Sequence, residues 1–104
     1  MTPEEKARAA SEWRYQNGDE WDFMVYEARR EARDRGWASI HNAADRTRME
    51  RRIKISNTIK PALSRLMVLE NPDLEKYLVQ NKADVDTVDL EGIYRKVGEK
   101  YGEA

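Results

Sequence analysis

Trp21, Met24, Val25, Ala28 and Ala32 recur at i, i+3, i+4, i+7 and i+11, the period of one helix face. The period returns near the end of the chain, where Leu90, Ile93, Tyr94, Val97 and Tyr101 form a second stripe, weakened by Gly92 and Gly98. Against these stands one alternating stretch, "RIKIS" from Arg52 to Ser56, and no second run offers it a partner strand. Helical stripes with nothing to pair as a sheet leave an all-α fold. The expectation is a single small helical domain over residues 1–104, built from five or six short helices.

The boundaries come from capping chemistry. Thr2 is placed as N-cap, Pro3 at the first helical position, and Glu5 as the second half of a capping box; Ala7, Ala10 and Trp13 give that helix a modest apolar face. "QNGDE" breaks it, with Gly18 free to turn left-handed and Asp19 to cap the next helix. That second helix runs from about Glu20 to Arg35, with Arg30–Asp34 and Glu31–Arg35 spaced as ion pairs and Gly36 as its stop. A third, thinly striped helix begins at Ser39. Beyond it, Ile55, Ile59, Ala62, Leu66 and Leu69 are spaced four, three, four and three, a heptad-like seam that could zip two copies through Ile55, Ile59, Leu66 and Leu69. Pro61 falls inside this seam. Either Thr58 caps a new helix with Pro61 in its first turn, or one long helix kinks there; the break is preferred. "NPDLEKYLVQN" reads as a further short helix with Asn71 as cap. The last helix starts at Asp86 or Thr87, with Val85 and Leu90 as a staple.

Composition matters here for what it excludes. Ile, Leu, Val and Phe supply only 18 of 104 residues, so the core is thin, and pairing with a copy or a partner would add to it. Three Trp, five Tyr and a net charge of -1 argue for a folded chain all the same. With no cysteine there is no disulfide framework, thiolate metal site or cysteine nucleophile. "MTPEEKARAASEW" lacks the apolar stretch of a signal peptide, and the longest apolar run, "LMVL", is far too short to cross a membrane. A soluble cytoplasmic protein, with no membrane partner, is the expectation.

Catalytic constellations are missing. His41 is the single histidine, so a His-pair metal motif or a triad with a second base cannot be built. "DVDTVDLE" is acidic enough for a calcium loop, but Asp89 stands where the glycine belongs and Arg95 where the bidentate Glu belongs. No Gly-rich phosphate loop exists. The chain reads as a non-enzyme that needs no cofactor and no metal.

What remains is charge layout. Residues 1–28 carry 3 basic and 7 acidic groups, residues 29–65 carry 11 and 4, and residues 66–104 carry 5 and 9. The basic centre peaks at "RTRMERRIKISNTIK", where Arg48, Arg51 and Arg52 share a helical face flanked by Arg46 and Lys54, with Lys60 beyond. Arginine clusters of this kind grip phosphates or acidic partner surfaces, or pair with acids of their own chain. Of the tryptophans, Trp21 is read as core and Trp37, beside Gly36, as a partner contact. A helix-turn-helix reader at the C-terminal end is discounted, because Asp86, Asp89 and Glu91 would enter the groove first. The expected function is a helical protein-interaction module, in the manner of small phage or mobile-element accessory factors that inhibit a host protein. Arg46, Arg48, Arg51, Arg52, Lys54, Lys60 and Trp37 form its contact face. The alternative is nucleic-acid binding by the same arginines.

Overall fold

The computed structural model describes residues 1–102. Five α-helices carry the fold: α1 (Pro3–Gln16), α2 (Gly18–Arg35), α3 (Ile40–Arg51), α4 (Lys60–Glu70) and α5 (Leu90–Lys100). Short 3₁₀ turns at Asn57–Ile59, Pro72–Leu74 and Asp84–Thr87 shape the connections. Two residues of each of two segments, β1 (Ala38–Ser39) and β2 (Leu78–Val79), pair in parallel. The all-α expectation is met with this one small addition.

Local chemistry sets the ends. The Thr2 hydroxyl accepts from the Glu5 N–H while the Glu5 carboxylate accepts from the Thr2 N–H, closing the capping box. Gly36 sits at φ 80°, the left-handed turn that ends α2, and its N–H returns to the Ala32 carbonyl. Ser39 caps α3 by accepting from the His41 and Asn42 N–H groups. Pro61 lies in the first turn of α4, so the chain breaks between α3 and α4. Thr58 does not cap α4, which has no side-chain cap, and the Ser56 hydroxyl instead caps the 3₁₀ turn Asn57–Ile59 that leads into it.

Other boundaries depart from expectation. Gly18 is the first residue of α2 and has no positive φ; α1 and α2 are joined by Asn17 alone. The stretch after Asn71 makes one 3₁₀ turn and then pairs as β2, since Leu78 is drawn into the core beside Ala38. α5 is capped by Asp89, whose carboxylate accepts from the Gly92 N–H, three residues later than Asp86.

Trp21, Met24, Leu63, Leu66, Met67, Leu74 and Val85 are the largest fully buried side chains. Around them the helices close on small residues: Ala28 and Ala32 of α2 and Ala43, Ala44 and Thr47 of α3 are all buried, and absence of bulk lets those two helices approach closely. α4 is central, packing on α1, α3 and α5, while α1 pairs with α5 and α2 with α3. This arrangement corrects the dimer seam. Ile55, Ile59 and Leu66 are buried inside the monomer and Leu69 packs against the same core, so the spacing that suggested a zipper serves one chain. The thin aliphatic supply is used internally.

A polar knot ties four helices together. The Glu70 carboxylate at the end of α4 accepts from Arg14 Nε (2.6 Å) and Nη2 (3.1 Å), from Trp21 Nε1 (3.1 Å) and from the Tyr94 hydroxyl. Burial alone would raise its pKa, but these donors, Arg14 foremost, outweigh it and hold the carboxyl below the usual carboxylate range. Tyr15 stacks on Tyr94 (5.4 Å) and Tyr101 (5.6 Å) beside it.

Candidate functional site

The outer face of the molecule is built by α2 and α3, which run antiparallel from the turn at Gly36. Their contacts form a ladder with one rung per turn. Nearest the turn, Glu31 accepts from the Ser39 N–H (2.9 Å) and from Asn42 Nδ2 (2.9 Å). One turn on, Glu27 accepts from Arg46 Nη1 (3.1 Å) and lies 3.5 Å from Arg30 Nη1. Another turn on, the Arg51 guanidinium lies 5.5 Å from the centre of the Phe23 ring, which tilts against Tyr26 at 6.4 Å. Glu27 and Glu31 are both buried, which a carboxylate tolerates only with such partners.

Above the last two rungs runs a groove of about 420 Å³ lined by Phe23, Glu27, Arg30, Arg46, Met49 and Glu50. Its apolar parts are unusually open. Met49 is 75% exposed, and Tyr26, which stands outside the groove beside Phe23, 57%. Arg30, Arg46 and Arg51 stand around them.

The residues expected from the sequence are dispersed by this geometry. Arg46 is at the groove, half-buried and bonded to Glu27. Arg51 is at its rim. Arg48 is exposed and 3.6 Å from Asp45. Arg52 leaves the helix at φ 53°, a left-handed position that favours glycine, so it shares no helical face with Arg48 and Arg51. Arg52 and Lys54 are exposed and, among the described residues, form no ion pair. Lys60 is corrected outright: it is only 5% exposed, its ammonium 3.9 Å from Asp45, and it is withdrawn from any contact face. Trp37 is 42% exposed, under the Arg35 guanidinium, but it stands at the Gly36 turn. The length of α3, about 18 Å at 1.5 Å per residue, separates it from Arg51.

Sequence reasoning missed Phe23, Tyr26, Arg30 and Met49. A signal existed on α2: Phe23, Tyr26 and Arg30 fall at i, i+3 and i+7, one face of their own, outside the stripe of Trp21, Met24 and Ala28. The acids of "DVDTVDLE" serve structure. Asp84 pairs with Lys6 (2.7 Å), Asp86 with Arg65 (2.9 Å), and Asp89 caps α5. Among the described residues no group of three or more His, Asp or Glu side chains is disposed to hold a metal ion. No helix among the described residues is long and apolar enough to cross a membrane. None of the protein-family models, curated proteins and solved structures compared with the chain matches it.

Proposed function

We propose that this protein is a non-enzymatic interaction module whose α2–α3 face binds a partner protein. The reading rests on one observation: Met49, large and largely solvent-exposed, lines a groove with Phe23, Arg30 and Arg46, while the exposed Tyr26 and Arg51 pack against the same Phe23 ring. An apolar anchor within a ring of arginines is the make-up of a binding hot spot, where desolvated contacts carry most of the energy. Phosphates are served poorly here, since they offer no apolar contact to the Phe23 ring that lines the groove. A backbone of phosphates also leaves Met49 without a partner. The cysteine-free composition suits a reducing, cytoplasmic setting, and occupancy of a host protein's surface by this face is enough to inhibit or redirect it.

A second reading, nucleic-acid binding, draws on the exposed cations Arg48 and Arg51 in the last turn of α3 and Arg52 and Lys54 just beyond it. Two measurements separate them. Anisotropy of labelled duplex and single-stranded oligonucleotides at about 50 and 200 mM salt tests phosphate binding, whose affinity falls steeply with salt. Affinity capture from cells encoding the protein, with wild type beside Met49→Asp, tests the protein reading. A captured protein lost with Met49→Asp, and no tight oligonucleotide binding, is the expected pair of results. Tight, salt-steep oligonucleotide binding that survives Met49→Asp would overturn it.

A further inference from the structure

We infer that the occupant of the α2–α3 groove is an acidic amphipathic helix of about three turns, supplied by the partner protein; this rests on the protein-binding reading above. The groove is not uniform along its length. Toward the start of α2 and the end of α3 its walls are Phe23 and Met49, with Glu50 next to Met49 and the exposed Tyr26 ring outside the groove beside Phe23. One turn nearer the hairpin they are Arg30 and Arg46, joined through Glu27. An apolar end thus lies one helical turn from a cationic end.

The cationic end has capacity to spare. Arg46 spends one N–H on Glu27, and the Arg30–Glu27 contact of 3.5 Å is too long for a good hydrogen bond. Each guanidinium offers five N–H donors in a planar fork, so a carboxylate arriving from outside can bridge the two. Arg51, at the apolar end, is exposed and fixed over Phe23 rather than paired with an acid. The complementary ligand therefore carries apolar side chains at its anchor end and carboxylates one or two turns away.

Conformation is dictated by the walls. Both are helices with their backbone hydrogen bonds satisfied internally, so an extended peptide finds no sheet edge to pair with. A helix laid between them presents i, i+3, i+4 and i+7 as one row, the spacing that Phe23, Tyr26 and Arg30 also show. A second copy of this chain using the same face is disfavoured. Two-fold contact would set Arg30, Arg46 and Arg51 against the same residues of the copy.

The test is selection from a displayed library of random peptides of about 15 residues, long enough to span α3 as a helix, against the full-length protein. Binding of the enriched peptides is then measured by anisotropy at about 150 mM salt. The expected peptides are net acidic, with apolar residues at helical spacing, and gain helical circular dichroism on binding. Met49→Asp and Arg30→Glu each weaken them by about tenfold or more. Met49→Asp keeps the melting temperature, while Arg30→Glu, which faces the buried Glu27, lowers it but still melts cooperatively above the assay temperature. A peptide with its central acids changed to Lys recovers affinity for Arg30→Glu. Neutral or basic peptides that still depend on Met49 would overturn the acidic helix and leave the binding face standing. Failure to enrich any peptide, or peptides indifferent to both Met49 and Arg30, would overturn the inference and the face together.

Discussion

Glu70→Gln changes one atom type at the point where four helices meet, and its cost can be worked from the geometry. Oε1 accepts from Trp21 Nε1 and Arg14 Nη2; Oε2 accepts from Arg14 Nε and the Tyr94 hydroxyl. Turned one way, the amide NH₂ meets two obligate donors, Arg14 Nη2 and Trp21 Nε1. Turned the other, it still meets Arg14 Nε, though the Tyr94 hydroxyl can rotate to accept, so at least one hydrogen bond from Arg14 is lost and Arg14 loses its counter-ion. Removing one partner of a fully buried pair costs about 3–5 kcal/mol, while an exposed pair is worth about 0–1 kcal/mol. The Arg14 and Glu70 side chains keep 22% and 19% of their accessibility, which places the cost between these limits, at about 2–3 kcal/mol. For a chain of this size that lowers the melting temperature by roughly 10–20 °C. Urea unfolding followed by circular dichroism and by tryptophan fluorescence measures it, since the Trp21 indole bonds to the same carboxylate. The pH dependence supplies a sign. Glu70 in the folded state titrates below its ordinary 4.5, so its stabilisation is complete above that value and is lost as pH falls through the folded pKa. The deficit of Glu70→Gln should therefore shrink in acid. A loss under about 0.5 kcal/mol, the usual effect of a surface change, or a deficit independent of pH, would refute the reasoning.

Single positions elsewhere give outcomes of known sign. Gly36→Ala should destabilise by about 1–2 kcal/mol through its left-handed φ alone, because an added Cβ there meets nothing within 4 Å. Gly18→Ala, at a helical position equally free of contacts, should instead stabilise the fold by up to about 1 kcal/mol; opposite signs in paired thermal melts are the check. Ser39→Ala removes the cap of α3 and should cost about 1 kcal/mol, with hydrogen exchange accelerating first at His41 and Asn42, whose N–H groups it releases. Lys60→Met should leave stability unchanged or higher, since a buried ammonium 3.9 Å from its acid makes a poor ion pair. A drop above about 1 kcal/mol in chemical denaturation would mean that the contact matters after all.

The helices were legible in the sequence wherever an apolar period and a cap agreed. Thr2 with Glu5, Ser39 and Gly36 each mark an end through contacts within three or four residues, and local contacts are what a sequence displays. The loss of the Asn71 helix was not legible. Leu78 goes to the core beside Ala38, forty residues away, and that tertiary contact overrides the local pattern. The same limit governed the site. A heptad spacing at Ile55, Ile59 and Leu66 does not say whether the opposite surface belongs to the same chain. Nor could the basic run announce that Arg46 would be answered by Glu27, nineteen positions earlier in the acidic segment. The exposed face of α2 was readable, however, for Phe23 and Tyr26 lie off the core stripe and nothing in the helix itself covers them.

The excess charge of residues 29–65 therefore overstates the field this surface presents. Arg46 is tied to Glu27, Lys60 is inside, and Arg65 forks onto Asp86 with its Nε at 2.9 Å. Arg29 is held by Asp73 and Asn71. Within "RTRMERRIKISNTIK" four cations stay at the surface with donors free for a phosphate: Arg48, Arg51, Arg52 and Lys54. Each neutralised phosphate contributes a slope of about -0.9 in log affinity against log salt, so four give about -3.6 on duplex DNA. Between about 50 and 200 mM salt that is a fall of roughly 150-fold, against some 2,000-fold for six phosphates if Arg46 and Lys60 also took part. A salt titration of any residual duplex association separates the two. A slope no steeper than about -3.6, flattened further by Arg51→Ala and unmoved by Lys60→Met, agrees with the geometry. One near -5.4 would mean that Arg46 leaves Glu27 and Lys60 leaves the core to reach phosphates, and the ladder between α2 and α3 could not then be the resting state of the face.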